Sequence, residues 1–195
     1  MNGTMALLKL IEAFEAADVR YMIVGSYSSN FYGIPRSTKD ADLVIQLTSG
    51  EWAKLPSFLP EGIELEDQMS FEMVTSTKRE LLRVKDSLFQ IELFGLSEDA
   101  HDQSRFNRRK RVEIFEGVEV CLPSAEDVIV QKLRWCKGAK RSKDFDDTVA
   151  VIAVQGLKKL DIPYIERWCG EHGTLDVLAE AIAEAAPAWE DDDSI

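Results

Sequence analysis

The chain has 195 residues, 45% of them hydrophobic, which is enough for one domain with a real core or for two small lobes. Its 23 Lys and Arg against 35 Asp and Glu give a net charge of −12, so long-range electrostatics repel a polyanion and any nucleic acid contact must be local. The three cysteines lack CxxC spacing, which argues against a disulfide framework or a zinc site, and no apolar run reaches membrane-spanning length. These features predict a cytoplasmic protein without a membrane partner.

An amphipathic helix is predicted at the start of the chain, because apolar residues recur at helical spacing in residues 5–17. The β-branched run 21–24 predicts a strand that ends at Gly25, and the following residues predict a helix that begins directly after the glycine. Gly25 and Ser26 would then form a strand-to-helix turn. Its free backbone N–H groups and hydroxyl suit a phosphate, although an ordinary turn fits the same residues.

The second predicted strand, residues 40–47, carries Asp40 and Asp42. Residues i and i+2 of a strand project to one face, so both carboxylates should point the same way. Two like charges at that spacing destabilise each other unless a cation compensates them, and a divalent cation is the usual solution. The pair therefore predicts a metal site, whereas taken alone it is also typical of a solvated strand edge.

Further strands of one mixed sheet are predicted between residues 71 and 94. One of them carries Glu92 between Ile91 and Leu93, and a carboxylate buried there without a partner is costly. Glu92 either belongs to the site, faces solvent, or pairs with Lys85 across a hairpin. A second hairpin is predicted around Gly117.

From about residue 124 onward the pattern is helical throughout, and Ser124 suits the N-cap of the first of these helices. We therefore predict an α/β (α+β) fold. Residues 1–122 form a small mixed sheet with flanking helices, and residues 123–195 form a helical lobe that closes a cleft. Residues 131–143 carry no acid and a concentrated set of cations: Lys132, Arg134, Lys137, Lys140, Arg141 and Lys143.

The ordered set of Gly25-Ser26, Asp40-x-Asp42 and Glu92 resembles the signature of the DNA polymerase beta-like nucleotidyltransferase superfamily, in which Asp is commoner than Glu at the third acid. Residues 36–43, RSTKDADL, are similar to the R-x-T-x-D-h-D-h motif of its AbiEii-type branch, where h is apolar. The downstream residues that match a p-x-D-h-h-x-x-K helix and an R-x-K-D-h-x-D motif of that branch are Lys132, Arg141, Lys143, Asp144 and Asp147.

This resemblance implies an enzyme that moves a nucleoside monophosphate from an NTP to a hydroxyl with the help of two Mg²⁺ ions. Asp40 and Asp42 would bridge the metals, and Glu92 would bind the metal that activates the hydroxyl and also serve as general base. Gly25 and Ser26 would hold the β- and γ-phosphates.

Contacts with the nucleotide are also expected from the helical lobe. Lys132 would neutralise the triphosphate, with Arg36 or Arg141 as second contacts and Asp144 beside them. Lys132 fits a solvated helix face as an alternative. Asp144 and Asp147 fit an ion-pair network with Arg141 equally well.

The acceptor implied by the resemblance is tRNA or a protein hydroxyl, and the chain would be the toxin of a toxin-antitoxin or phage-defence pair, with a cognate antitoxin as partner. One alternative is a small-molecule nucleotidyltransferase of the antibiotic-modifying kind, since the acidic composition favours a cationic substrate. Another is a catalytically idle nucleotide-binding interaction module. The presence of all three acids and of Ser26 argues against this last alternative.

Overall fold

The computed structural model describes residues 2–66, 70–71, 77–139 and 142–186. Contacts divide the chain into two compact units. The first unit comprises Met1–Tyr27 and Ser37–Leu122, and the second comprises Ser28–Arg36 and Pro123–Ile195. The predicted fold class is confirmed: a small mixed sheet with flanking helices is followed in the chain by further helices.

All of the described strands lie in the first unit. Its elements, with the helix α2 that continues into the second unit, are α1 (Gly3–Ala16), β1 (Arg20–Val24), α2 (Gly25–Tyr32), β2 (Asp40–Gln46), α3 (Ser49–Trp52), α4 (Leu55–Phe58), β3 (Ile63–Leu65), β4 (Ser70–Phe71), β5 (Lys78–Val84), β6 (Gln90–Gly95), α5 (Ala100–Arg108), β7 (Lys110–Phe115) and β8 (Val118–Leu122).

The main sheet has the strand order β1-β2-β6-β5-β3, and β4 pairs with β5. The β2–β6 pair is parallel, whereas β1–β2, β5–β6, β3–β5 and β4–β5 are antiparallel. β7 and β8 form the predicted hairpin around Gly117. The sheet is therefore mixed, and β2 is one of its inner strands.

The core of the first unit explains which face of β2 is polar. Ala41, Leu43 and Ile45 of β2 are fully buried and pack with the apolar face of α1, which includes Leu10 and Phe14. Burial of a large apolar side chain contributes about 1.5–3 kcal/mol, so the alternation along β2 strongly favours this orientation. Asp40 and Asp42, on the opposite face, are partly exposed.

The second unit is helical apart from the residues that link its elements. Its helices are α6 (Ala125–Ala139), α7 (Ser142–Gln155), a 3₁₀ turn (Leu157–Lys159), α8 (Ile162–His172) and α9 (Leu175–Ala185). They share one core that includes Leu133, Ile152 and Trp168. Ser124 caps α6 as predicted, because its Oγ accepts a hydrogen bond from the Asp127 N–H at 3.3 Å.

Hydrogen bonds explain why residues 28–36 group with this helical unit. The Tyr32 hydroxyl donates to the Pro123 carbonyl at 2.9 Å, and Gln155 Nε2 donates to the Tyr32 carbonyl at 2.7 Å. A Cβ at Gly33 would lie 3.0 Å from the Val151 backbone nitrogen, so the chain approaches α7 closely at this glycine.

Some sequence predictions differ from the structure in detail. The pattern of residues 51–59 predicts one helix closed by Pro60, whereas the structure has two short helices, α3 and α4, since Pro56 lacks an N–H and is accommodated in the first turn of a new helix. Part of the first strand expected after residue 71, residues 72–76, lies outside the described residues. Within the described ranges, no helix combines the length and apolar character that a membrane span requires.

Candidate active site

The register of the sheet brings the three predicted acids to one face. On the parallel strands β2 and β6, Asp42 is the partner of Glu92 and Asp40 is the partner of Gln90. Alternate residues of a strand project to the same side, so Asp40, Asp42 and Glu92 share one face of the sheet. Ile91 and Leu93 are buried on the other face. Adjacent strands lie about 4.8 Å apart, which places Asp42 next to Glu92.

The predicted strand-to-helix turn at Gly25 and Ser26 lies against one of these acids. Gly25 begins α2 directly after β1 and has a φ of +62°, in the left-handed region that favours glycine. A Cβ at this position would collide with Oδ2 of Asp42, so the absence of a side chain lets the carboxylate approach the backbone. Ser26 is buried in the first turn of α2.

Thr38, the threonine of the R-x-T-x-D motif, orients Asp40. The Thr38 hydroxyl donates to Asp40 Oδ1 at 2.7 Å and also lies 3.0 Å from the Asp40 carbonyl oxygen. A short hydrogen bond to an ionised acceptor fixes the carboxylate rotamer. The T in the R-x-T-x-D pattern therefore has a structural role beside the first aspartate.

The third acid has a charged partner that the sequence reasoning missed. Arg79 of β5 binds Glu92 of β6 through both carboxylate oxygens: Nε donates to Oε2 at 2.8 Å, and Nη2 lies 2.7 Å from Oε1. The cross-strand pairing of Glu92 is thus with Arg79 rather than with Lys85. A sequence signal exists in the alternation of β5, but it identifies Arg79 only once the register of the β5–β6 pair is known.

The side chains at this face suit the predicted magnesium site only in part. Asp40 and Asp42 offer hard carboxylate oxygens on one face, which is the chemistry that Mg²⁺ prefers. Within the part of the chain that the structure describes, no group of three or more His, Cys, Asp or Glu side chains is arranged to hold a metal ion. Asp40 and Asp42 therefore fit the ion by chemistry, whereas Glu92 fits only if its carboxylate leaves Arg79.

The predicted nucleotide contacts from the second unit form a buried ion-pair network. Lys132 Nζ donates to Asp144 Oδ1 at 2.8 Å and to Asp147 Oδ2 at 2.7 Å, and the lysine is 9% exposed. Arg36 binds the same Asp147, with Nε at 2.7 Å from Oδ1 and Nη2 at 2.8 Å from Oδ2. Ser29 Oγ adds a hydrogen bond to Asp147 Oδ2 at 3.3 Å.

This network lowers the pKa of its central acid, Asp147. Burial alone would raise the pKa of Asp147, but the hydrogen bonds and charges of Arg36 and Lys132 outweigh it and lower the pKa from 3.8 to about 2. Asp144 and Asp147 therefore form an ion-pair network whose cations are Lys132 and Arg36, and the network expected with Arg141 stays a prediction. Its expected member Arg141 lies outside the described residues.

The expected cationic surface on residues 131–143 is reduced by this arrangement. Lys132 is buried and paired with two acids, so its charge is neutralised locally. The exposed Lys137 donates to the Gly173 carbonyl, where it binds the C-terminal end of α8. Lys140 lies outside the described residues.

Comparisons with known proteins establish the fold. No protein-family model and no curated protein matches the sequence. Among solved structures, the chain is similar to the antibiotic-resistance factor ANT(2'')-Ia, with a TM-score of 0.60 at 12% identity over 92% of this chain and 97% of that chain. It is also similar to JHP933 from Helicobacter pylori, with a TM-score of 0.52 at 16% identity over 97% of this chain and 91% of that chain.

A further solved structure from Helicobacter pylori, of a protein proposed to be a nucleotidyltransferase, has a TM-score of 0.51 at 15% identity over 97% of this chain and 94% of that chain. The chain therefore has the nucleotidyltransferase fold, as the resemblance implied. The AbiEii-type branch stays a prediction.

Substitution of Gly25 by alanine tests the turn. Gly25→Ala forces a left-handed φ on a residue with a Cβ, at a cost of about 1–2 kcal/mol, and pushes the new methyl group against Asp42. We expect a lower melting temperature in thermal unfolding monitored by circular dichroism. Gly50→Ala is the matched control, since nothing lies within 4 Å of its Cβ position, and it should not destabilise the protein. Equal stability of the two variants would contradict the described contact.

The pH dependence of stability tests the Asp147 network. Because the folded pKa of about 2 lies below the ordinary 3.8, the carboxylate stabilises the fold above about pH 4, and this contribution is lost as the pH falls towards 2. At pH 7, Asp147→Asn should lower the free energy of unfolding by about 2 kcal/mol relative to wild type in urea titrations. The difference should narrow between pH 4 and pH 2.

The matched control is Asp146→Asn, because Asp146 is exposed on the same helix. The free energy of unfolding of this variant should equal that of wild type at every pH. A difference between Asp147→Asn and wild type that stays constant down to pH 2 would rule out the ionised network.

Proposed function

We propose that this chain is a Mg²⁺-dependent nucleotidyltransferase that moves a nucleoside monophosphate from an NTP to a hydroxyl. The supporting observation is the grouping of Asp40, Asp42 and Glu92 on one face of the sheet, next to the Gly25 turn. Three acids on one face of a strand pair repel one another, and Arg79 compensates one of them, Glu92. The nucleotidyltransferase fold is consistent with this chemistry.

Asp40 and Asp42 are the proposed ligands of Mg²⁺. When bound, the metal would stabilise negative charge on the reacting phosphate and lower the pKa of the attacking hydroxyl. Thr38 would hold the Asp40 carboxylate in its orientation through the 2.7 Å hydrogen bond. Asp42 pairs with β1 on one side and with β6 on the other, and Asp40 pairs with β6, so the backbone keeps both aspartates in place at the start of β2.

Gly25 and Ser26 are the proposed phosphate-binding residues. The first turn of α2 supplies backbone N–H groups and the partial positive charge of a helix N-terminus, which favour an anion. Glu92 is the proposed general base, since it lies beside Asp42 and is partly exposed. It would accept the proton of the attacking hydroxyl.

Nucleotide contacts of Lys132, Arg36, Arg141 and Asp144 stay predictions. Lys132 and Arg36 share Asp147 in the structure, so a phosphate contact from either requires an ion pair to be exchanged. Such an exchange is feasible for Arg36, whose side chain is 37% exposed, and harder for Lys132, which is 9% exposed.

The proposed acceptor is a hydroxyl of tRNA or of a protein, as the AbiEii-type resemblance implies, with a cognate antitoxin as partner. A cationic small molecule is the second candidate. The net charge of −12 favours it, because an acidic protein attracts a cationic substrate and repels tRNA at long range. A related observation concerns ANT(2'')-Ia, whose structure is known in complex with adenylyl-2''-tobramycin.

Loss of the second aspartate should abolish transfer. We expect Asp42→Asn to lower the rate of label transfer from α-³²P-labelled NTPs by at least about a hundredfold, because one of the paired metal ligands is weakened. Asp86→Asn is the control: Asp86 is exposed, and asparagine tolerates its left-handed φ of 59°. Transfer by Asp42→Asn at the wild-type rate would remove this strand from the reaction.

The acceptor is identified in the same assay. The protein is incubated with each labelled NTP and Mg²⁺ in the presence of total tRNA, a protein lysate or an aminoglycoside panel, and the products are separated. Label in tRNA or protein supports the macromolecular proposal, and label in the aminoglycosides supports the second candidate. If no acceptor is labelled and Asp42→Asn binds NTP with unchanged affinity in Mg²⁺, the enzyme proposal is wrong.

A further inference from the structure

The contact that sets Glu92 apart from the two aspartates is its bidentate pair with Arg79. Glu92 is opposite Leu81 in the β5–β6 register and Arg79 is opposite Phe94, so the arginine reaches the acid diagonally across one face of the strand pair. Each carboxylate oxygen receives one guanidinium nitrogen, at 2.8 Å and 2.7 Å. The fork thereby occupies both oxygens of Glu92.

The charges on this face explain why an arginine is useful there. Glu92 is the strand partner of Asp42, and Asp40 lies two residues away on the same face. Repulsion between these acids favours displacement of one carboxylate from the others. The guanidinium offsets the charge of Glu92 and fixes its orientation, because a planar fork matches a carboxylate in one geometry.

A divalent cation would perform the same electrostatic role for Glu92. Both a guanidinium fork and an inner-sphere metal bond use the carboxylate oxygens directly. A guanidinium N–H and a metal ion cannot both use the same oxygen lone pair. A metal that takes Glu92 as a ligand therefore competes with Arg79 wherever both use the same lone pair, and the guanidinium charge repels the metal at the remaining lone pairs.

We propose that Arg79 competes with a divalent cation for the Glu92 carboxylate and thereby sets the metal concentration that the site requires. The proposal rests on the proposed function, since it assumes that Asp40 and Asp42 bind the metal. Arg79 is a positioning residue in this scheme: it holds Glu92 in place until the metal binds. The pair is accessible to exchange, because the side chains of Arg79 and Glu92 are 36% and 19% exposed.

The same contact would be present if the Arg79–Glu92 pair were only a structural tie that holds β5 to β6. The affinity of the protein for metal distinguishes this structural tie from competition. A tie predicts that loss of Arg79 lowers stability and leaves metal affinity unchanged or weaker. Competition predicts that loss of Arg79 makes metal binding tighter. It further predicts that the gain depends on Glu92, whereas simple removal of a positive charge would act without Glu92.

The experiment measures Mn²⁺ binding without turnover. Mn²⁺, which like Mg²⁺ prefers oxygen ligands, is titrated into the full-length protein in the absence of nucleotide, and free Mn²⁺ is followed by electron paramagnetic resonance. We expect Arg79→Met to bind Mn²⁺ about tenfold more tightly than wild type, since a partly exposed bidentate pair is no longer displaced. Arg79→Met combined with Glu92→Gln should bind no more tightly than Glu92→Gln alone.

Two further variants control for charge and for folding. Arg83→Met removes a cation from the same strand, one that pairs with Glu66, and should leave Mn²⁺ affinity unchanged. Arg79→Lys keeps the charge without the planar fork, so its affinity should lie between those of wild type and Arg79→Met. If Arg79→Met does not fold, as judged by circular dichroism, Arg79→Lys carries the test.

The possible outcomes separate this proposal from the proposed function. If wild type binds Mn²⁺ and Asp42→Asn does not, the metal site is supported; wild-type affinity in both Arg79 variants would then overturn the competition alone. An equal gain in the presence and absence of Glu92 would also overturn it. If wild type and Arg79→Met both fail to bind Mn²⁺ at millimolar concentrations, the competition and the metal-dependent function are both wrong.

Discussion

Repulsion between carboxylates is the constraint around which the first unit is arranged. The parallel pairing of β2 and β6 places Asp42 beside Glu92, and the period of the strand adds Asp40 to the same face. The buried residues between them, such as Leu43 and Leu93, prevent the strands from turning these acids away. The apolar core thus holds together charges that would otherwise separate, and the surrounding contacts reduce the repulsion.

Those contacts act on each acid differently. Asp40 accepts a hydrogen bond from Thr38, Asp42 lies against the glycine turn, and Glu92 is bound by Arg79. Each contact orients a carboxylate, and a metal ligand or a general base requires such a fixed orientation. The arrangement connects backbone pairing with the chemistry that we propose.

The second unit solves a similar electrostatic problem by internal pairing. Asp144 and Asp147 are buried, and Lys132 and Arg36 supply two cations within hydrogen-bonding distance. Removal of one member of such a network leaves a buried charge without its partner, which is strongly destabilising. Lys132 and Arg36, which the resemblance connected with the triphosphate, therefore have a structural function in the second unit. This function does not depend on any contact with a nucleotide.

Local pattern was sufficient for several of these features. The period of two along residues 40–46 placed Asp40 and Asp42 on one face, the break at Gly25 located the turn, and Ser124 was recognised as a helix cap; the structure confirms all three. Such features depend on residues a few positions apart, whose geometry follows from the backbone alone.

Tertiary structure decided the partners. Arg79 was found beside Glu92 only through the register of β5 and β6, and Arg36 meets Asp147 across 111 positions of sequence. Lys132, which in sequence looks like part of an exposed basic run, is buried because α6 packs against α7. Sequence by itself determined which groups are charged and that Asp40 and Asp42 project from one face of β2. Long-range packing determined which opposite charges meet, because many pairings satisfy the same local pattern.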